Sequence, residues 1–177
     1  DGKHDKATIV EFVGVRGGHA TSTVAAAAAL ILGESTGRVR LASHDTDAMA
    51  ALLGITTPAG QPTAVNGSVE LAATCSRRCD GAMTVVVDRG TVSSAALDLP
   101  GAEGGFVVGV LRGPCYVALR TLVGADTASW AGVVLVVEAG RALDRRDVED
   151  ITGLPVLASI EVTPAVARTI DAGLAPG

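Results

Sequence analysis

The stretch Gly14-Val15-Arg16-Gly17-Gly18-His19-Ala20-Thr21-Ser22-Thr23 joins two apolar segments of different character. Ahead of it, Ala7–Val15 is rich in β-branched residues and reads as a strand. Behind it, Ser22–Leu32 reads as an Ala-rich helix. A Gly-rich turn entering a helix aims several backbone N–H groups at one point, and the helix N-terminus adds roughly half a positive charge. Such a nest suits an anion, most often phosphate. The spacing is not G-x-G-x-x-G, so the dinucleotide fingerprint is excluded. An ordinary strand-to-helix turn with Ser or Thr as N-cap accounts for the same residues equally well.

The rest of the chain supplies the context. Strands are predicted at Arg38–Ala42, Met83–Asp88, Phe106–Leu111, Gly132–Val137 and Leu154–Ser159. Helices are predicted near Ala48–Leu53 and at Pro114–Val123, Asp144–Ile151 and Pro164–Ala172, with a helical reading also for Ser68–Cys75. Thr56–Gly67, with two prolines and two glycines, reads as a loop. Several strands are unbroken apolar runs such as Gly132–Val137, the pattern of a sheet buried on both faces. Strands alternating with helices then give an α/β fold, a mostly parallel sheet with helices on both faces. Residues 1–6, DGKHDK, read as a disordered leader and 7–177 as a single domain.

Composition removes whole classes of chemistry. Of 14 basic residues only Lys3 and Lys6 are lysines, so no lysine serves the body of the fold. A Schiff-base enzyme and a P-loop with its usual phosphate-binding lysine are thereby excluded. Phe, Trp and Tyr total four, too few for base-stacking platforms. The net charge of −5 argues against general DNA binding. The longest apolar run, Val24–Leu32, has nine residues, against about 20 for a membrane span. Cys75, Cys79 and Cys115 read as free thiols, consistent with a cytoplasmic protein. No Ser-His-Asp arrangement or metal-ligand spacing is readable.

Several segments together resemble the MinD/ParA family of deviant Walker-A ATPases. Arg16-Gly17-Gly18-His19-Ala20-Thr21-Ser22-Thr23 stands where that family has K-G-G-x-G-K-[ST]-T. Leu41 to Asp47, followed by Leu52-Leu53-Gly54-Ile55, resembles the family's acidic switch segment and its Leu-Gly pair. Val85-Val86-Val87-Asp88 resembles the strand that ends in the Walker-B aspartate. The final third, with its V-V-L-V-V-E strand, Gly140 to Leu143, and Leu154 to Ala158 closing on Pro164 to Arg168, is similar as well. The resemblance spans about residues 7–174 and implies a P-loop NTPase-like fold.

It also implies a cofactor-binding loop at Arg16, Gly17, Gly18, His19, Ala20, Thr21, Ser22 and Thr23. Ser22 and Asp88 would hold magnesium if nucleotide binds, and Asp45 (or Asp47) and Asp88 would be catalytic if the site is active. The departures are specific. Thr21 replaces the P-loop lysine, Ala20 replaces the last loop glycine, and Arg16 keeps the charge of the signature lysine. Phosphoryl transfer rests on positioning and charge neutralisation. The loss of that lysine therefore points to a degenerate Walker A, a pseudo-ATPase with weak or absent ATP and magnesium binding. Its role would be that of a scaffold or regulator acting through a protein partner or as a homodimer, in positioning, partitioning or secretion/pilus assembly. Two alternatives stay open. One is a weak NTPase in which Arg16 serves for the lysine, and the other a structural or small-anion-binding module.

Lesser features have plainer readings. His19, at the loop tip, reads as exposed and without a role, and Arg89 as a solvated, salt-bridging residue. Arg77-Arg78, Arg145-Arg146, Arg38 and Arg40 are diluted by acidic neighbours, against a DNA-binding patch. Val166, Ile170 and Leu174 form one apolar stripe with Arg168 as the sole nearby cation, which suits packing on the sheet better than a membrane surface.

Overall fold

The computed structural model describes residues 7–57, 61–73, 83–91 and 105–174. The leader 1–6, Cys75, Cys79, Arg77, Arg78 and Asp80 lie outside them. In chain order the elements are β1 (Thr8–Gly14), α1 (Thr21–Thr36), β2 (Val39–Ser43), α2 (Thr46–Leu53), β3 (Thr63–Ala64), β4 (Val69–Ala73) and β5 (Thr84–Thr91). They continue with β6 (Gly105–Arg112), α3 (Tyr116–Val123), β7 (Trp130–Val137), α4 (Arg145–Thr152), β8 (Val156–Glu161) and α5 (Pro164–Asp171).

The strands form one sheet in the order β3-β4-β2-β5-β1-β6-β7-β8. Every pairing is parallel except that of the two-residue β3 with β4. The first strand lies in the middle, and the chain runs out to one side of it and later to the other. Alternate residues of β1 explain why its sequence has apolar residues at consecutive positions. Phe12 enters the core beneath α1 and α2, whereas Val13 enters the core beneath α3 and α4. Burying one such side chain contributes about 1.5–3 kcal/mol. Alanines at 25, 26 and 29 let α1 lie close to the sheet, in keeping with a core of small side chains.

Two sequence readings are corrected. Ser68–Cys75 is not helical where it is described: Val69–Ala73 is a strand, paired in parallel with β2. Val69 and Leu71 are buried on it, and Glu70 pairs with Arg40 of the neighbouring strand, so sheet packing overrides the helix-forming Glu and Ala. The loop Thr56–Gly67 contains β3, too short to show a periodicity. Among the described residues no helix is long and apolar enough to cross a membrane. The Val166, Ile170 and Leu174 stripe does turn toward α1, but α5 fully buries none of its residues.

Candidate functional site

Ligands of open α/β sheets gather beyond the carboxyl ends of the strands, at the point where the strand order reverses. Here that point is the end of β1, between β5 and β6. The loop leaving β1 is tied to β6: the Val15 N–H donates to the Val110 carbonyl at 3.2 Å. His19 Nδ1–H donates to the same carbonyl at 3.2 Å, and the residue is only 8% exposed. The expectation of an exposed His19 is therefore corrected. Its ring turns under the loop because the β6 carbonyl offers a partner there. Burial, with smaller contributions from the charges of Arg16 and Arg112, holds the His19 pKa below its ordinary 6.5, while the bond to Val110 acts the other way. The neutral ring adds no charge toward an anion.

Ala20 closes the loop at φ 63°, and it is the one non-glycine with positive φ among the described residues. That conformation costs about 1–2 kcal/mol in a residue with a β-carbon. Ala20 is also the N-cap of α1 and offers no side-chain cap, so the expected Ser or Thr cap is not the one used. Thr21, which the sequence resemblance sets at the lysine position, is buried, and its hydroxyl lies over Gly14, where a β-carbon would collide with it. Ser22 and Thr23 are half-buried in the first turn of α1, and Arg16, Gly17 and Gly18 are exposed. Arg16 makes no ion pair among the described residues.

Asp88 lies on β5 opposite Phe12 of β1 and Ser43 of β2. It is buried, and its Oδ1 accepts the Gly90 N–H at 2.8 Å. The strand runs three residues past Asp88 to Thr91. Asp45 is occupied as the N-cap of α2, its Oδ1 accepting the Ala48 N–H at 2.9 Å, and Asp47 stands exposed in that helix's first turn. The His44 ring packs over Gly90, joining the β2–α2 turn to the end of β5. The fold thus gathers Arg16 to Thr23, Asp45 and Asp88 along one edge of the sheet.

The sequence resemblance implies ATP with magnesium. A hydroxyl at Ser22 and a carboxylate at Asp88 suit a hard cation. The triphosphate is not matched, since Thr21 carries no charge and its hydroxyl is directed onto the chain's own backbone at Gly14.

Two ion-paired clusters contain partners that were not singled out from sequence, Glu11 in one and Arg112 in the other. Glu11, buried in the middle of β1, accepts from Arg89 Nε at 2.8 Å and Nη2 at 2.6 Å. A lone Glu within T-I-V-E-F-V-G was the available signal for it. Arg89 is indeed the salt-bridging residue expected. The second group joins β6 to β7: Arg112 Nε donates to Glu138 Oε1 at 2.8 Å, and Arg141 Nη2 donates to Oε2 at 2.5 Å. These two arginines hold the Glu138 carboxyl below its usual range, Arg141 more than Arg112. With Arg16 to His19 they line a cavity of about 400 Å³. Elsewhere Arg40 and Arg145 pair with Glu70 and Glu149.

Solved structures share this architecture. A ParA family ATPase from Chlorobium tepidum TLS superposes with a TM-score of 0.66 at 12% identity, over 92% of this chain and 88% of that one. A putative plasmid partition protein from Borrelia burgdorferi B31, bound to AMPPNP, gives 0.59 at 14% identity, over 94% and 90%. Another plasmid partition protein from Borrelia burgdorferi gives 0.57 at 14% identity, over 90% and 92%. No protein-family model matches the chain, and no curated protein matches it in sequence. At these identities the likeness defines the fold, and that fold is MinD/ParA-like.

Proposed function

We propose that this chain is a non-hydrolysing MinD/ParA-like scaffold or regulator that acts by binding a protein partner or a second copy of itself. Positioning, partitioning or secretion/pilus assembly is the setting in which such a role belongs. One observation supports the reading: Thr21, which the sequence resemblance sets at the position of the phosphate-neutralising lysine, is uncharged and buried against Gly14. Apolar side chains exposed on α3, among them Tyr116, Val117 and Val123, favour a protein partner. The pairing of Arg40, Arg112, Arg141 and Arg145 with carboxylates disfavours DNA.

Thermal-shift titration with ATP and ADP, each with magnesium, tests the reading, because a ligand that binds only the native state raises its melting temperature. No shift is expected. A low-micromolar nucleotide affinity, with turnover abolished by Asp88→Ala, overturns it. Light scattering with and without nucleotide tests self-association. A second reading, a weak NTPase relying on Arg16, draws on the exposure of Arg16 and its lack of an ion pair among the described residues. A nucleotide shift that disappears in Arg16→Ala would favour it.

A further inference from the structure

Beneath α5 lies a cavity of about 480 Å³, within the ~300–1,000 Å³ typical of small-molecule sites. Its walls are mainly aliphatic: Val24 and Ala27 of α1, Val136 of β7, Ile160 of β8, and Val166 and Ile170 of α5. The helix is held at both ends. Leu174 N–H donates to the Leu52 carbonyl at 3.0 Å, and Gly173 meets Gly54 backbone to backbone, too closely for a β-carbon on Gly173. At the other end the Val162 N–H, just before the helix, donates to the Val137 carbonyl of β7 at 3.0 Å. Small side chains on α1 leave the space between these anchors unfilled.

Arg112 lines this cavity and also the polar one at the loop tip. In the polar cavity three guanidinium groups, Arg16, Arg112 and Arg141, face one carboxylate, Glu138, which leaves a surplus of positive charge. Arg112 engages Glu138 through Nε, and its two terminal nitrogens make no hydrogen bond among the described residues. An aliphatic cavity and a cationic one thus share a wall.

We infer that these two cavities form one binding site for a single-tailed amphipathic anion, with the aliphatic tail beneath α5 and the carboxylate or phosphate head at Arg112 and Arg16. Besides Thr23, Thr169, Asp171 and Arg112 the walls are aliphatic and include no aromatic face, which suits a flexible chain rather than a stacked ring. The inference does not depend on the proposed scaffold role and goes beyond it.

Calorimetric titration of the full chain with hexanoate, octanoate and decanoate, all below their micellar range, is the test. Affinity should rise roughly fourfold per added methylene until the cavity is filled. Decyl phosphate distinguishes the head group, and binding of either anion supports the site. Decyltrimethylammonium should bind at least tenfold more weakly. Ala27→Leu, which fills the cavity, and Arg112→Gln, which removes the head-group charge, should each weaken decanoate at least tenfold. Ile170→Phe, on the exposed helix, repeats the cavity test should Ala27→Leu unfold. The inference is overturned by no binding of either anion, by equal binding of the cationic analogue, or by decanoate affinity unchanged in the folded variants. Displacement by ATP without chain-length dependence overturns it too.

Discussion

The Thr21 hydroxyl occupies the space that a β-carbon on Gly14 would need, so the first turn of α1 sits directly against the end of β1. A β-carbon at Gly14 would meet that hydroxyl first and the Gly90 carbonyl, 3.1 Å away, second. Gly14→Ala should therefore destabilise the chain by about 1–3 kcal/mol through overpacking. Thr21→Ala in the same background should restore part of that loss, since it removes the nearer obstacle. Urea denaturation of the four members of this cycle measures the coupling. Strict additivity would show that the two residues do not touch.

The strained link is Ala20. A left-handed Ala costs about 1–2 kcal/mol, and glycine at that position gives back part of the gain as unfolded-chain entropy. Ala20→Gly should raise stability by about 0.5–1 kcal/mol, or about 1–4 °C for a domain of this size. Adding Thr21→Lys to that background rebuilds the family's loop chemistry. The double variant should bind ADP with magnesium at least tenfold more tightly than the parent chain, as read by calorimetry. An unchanged affinity would place the defect elsewhere than at residues 20 and 21.

Legibility in the sequence followed periodicity. β7 is a continuous apolar run, and β1 and β5 carry shorter ones, because both faces of these strands are covered; such runs announce a parallel sheet before any contact is known. The loop from Arg16 to Thr23 was readable because glycines before a helix have a local meaning. Val69–Ala73 was misread because Glu70 belongs there through Arg40, thirty residues away, and no local window contains that pair. The same limit hid the Glu11–Arg89 and Arg112–Glu138–Arg141 groups, where partners come from different strands or strand ends. His19 was misjudged for the same reason: its partner is a carbonyl 91 residues away.

Glu11 and Arg89 are not equal partners, with side chains 3% and 41% exposed. Removing the arginine strands a buried carboxylate, whereas removing the glutamate returns a guanidinium to water. Arg89→Ala should therefore cost about 2–4 kcal/mol, at the lower side of buried-pair losses because the arginine is partly hydrated. Glu11→Leu, which replaces the charge by apolar packing, should cost under about 1 kcal/mol. Guanidinium melts of the two single variants decide it. Equal losses would mean that the pair contributes through geometry and not through desolvated charge.

His19 ties stability to pH. Its folded pKa lies below the unfolded value of 6.5, so at pH 7.5 both states are neutral and the group contributes no dependence. As pH falls below 6.5, the unfolded chain takes up a proton that the buried ring refuses. The stability present above that value is then lost until pH reaches the depressed folded pKa, with a slope of at most about 1.4 kcal/mol per pH unit. Urea midpoints should fall as pH drops below 6.5. His19→Asn keeps a side-chain N–H for the Val110 carbonyl and cannot titrate, so its midpoints should be flatter across that window. Arg16→Ala removes one of the charges opposing protonation and should shift the loss to lower the slope or narrow the window, bringing the folded pKa nearer its ordinary value. A parent chain and His19→Asn with parallel pH profiles would show that the ring is protonated as readily in the fold as outside it.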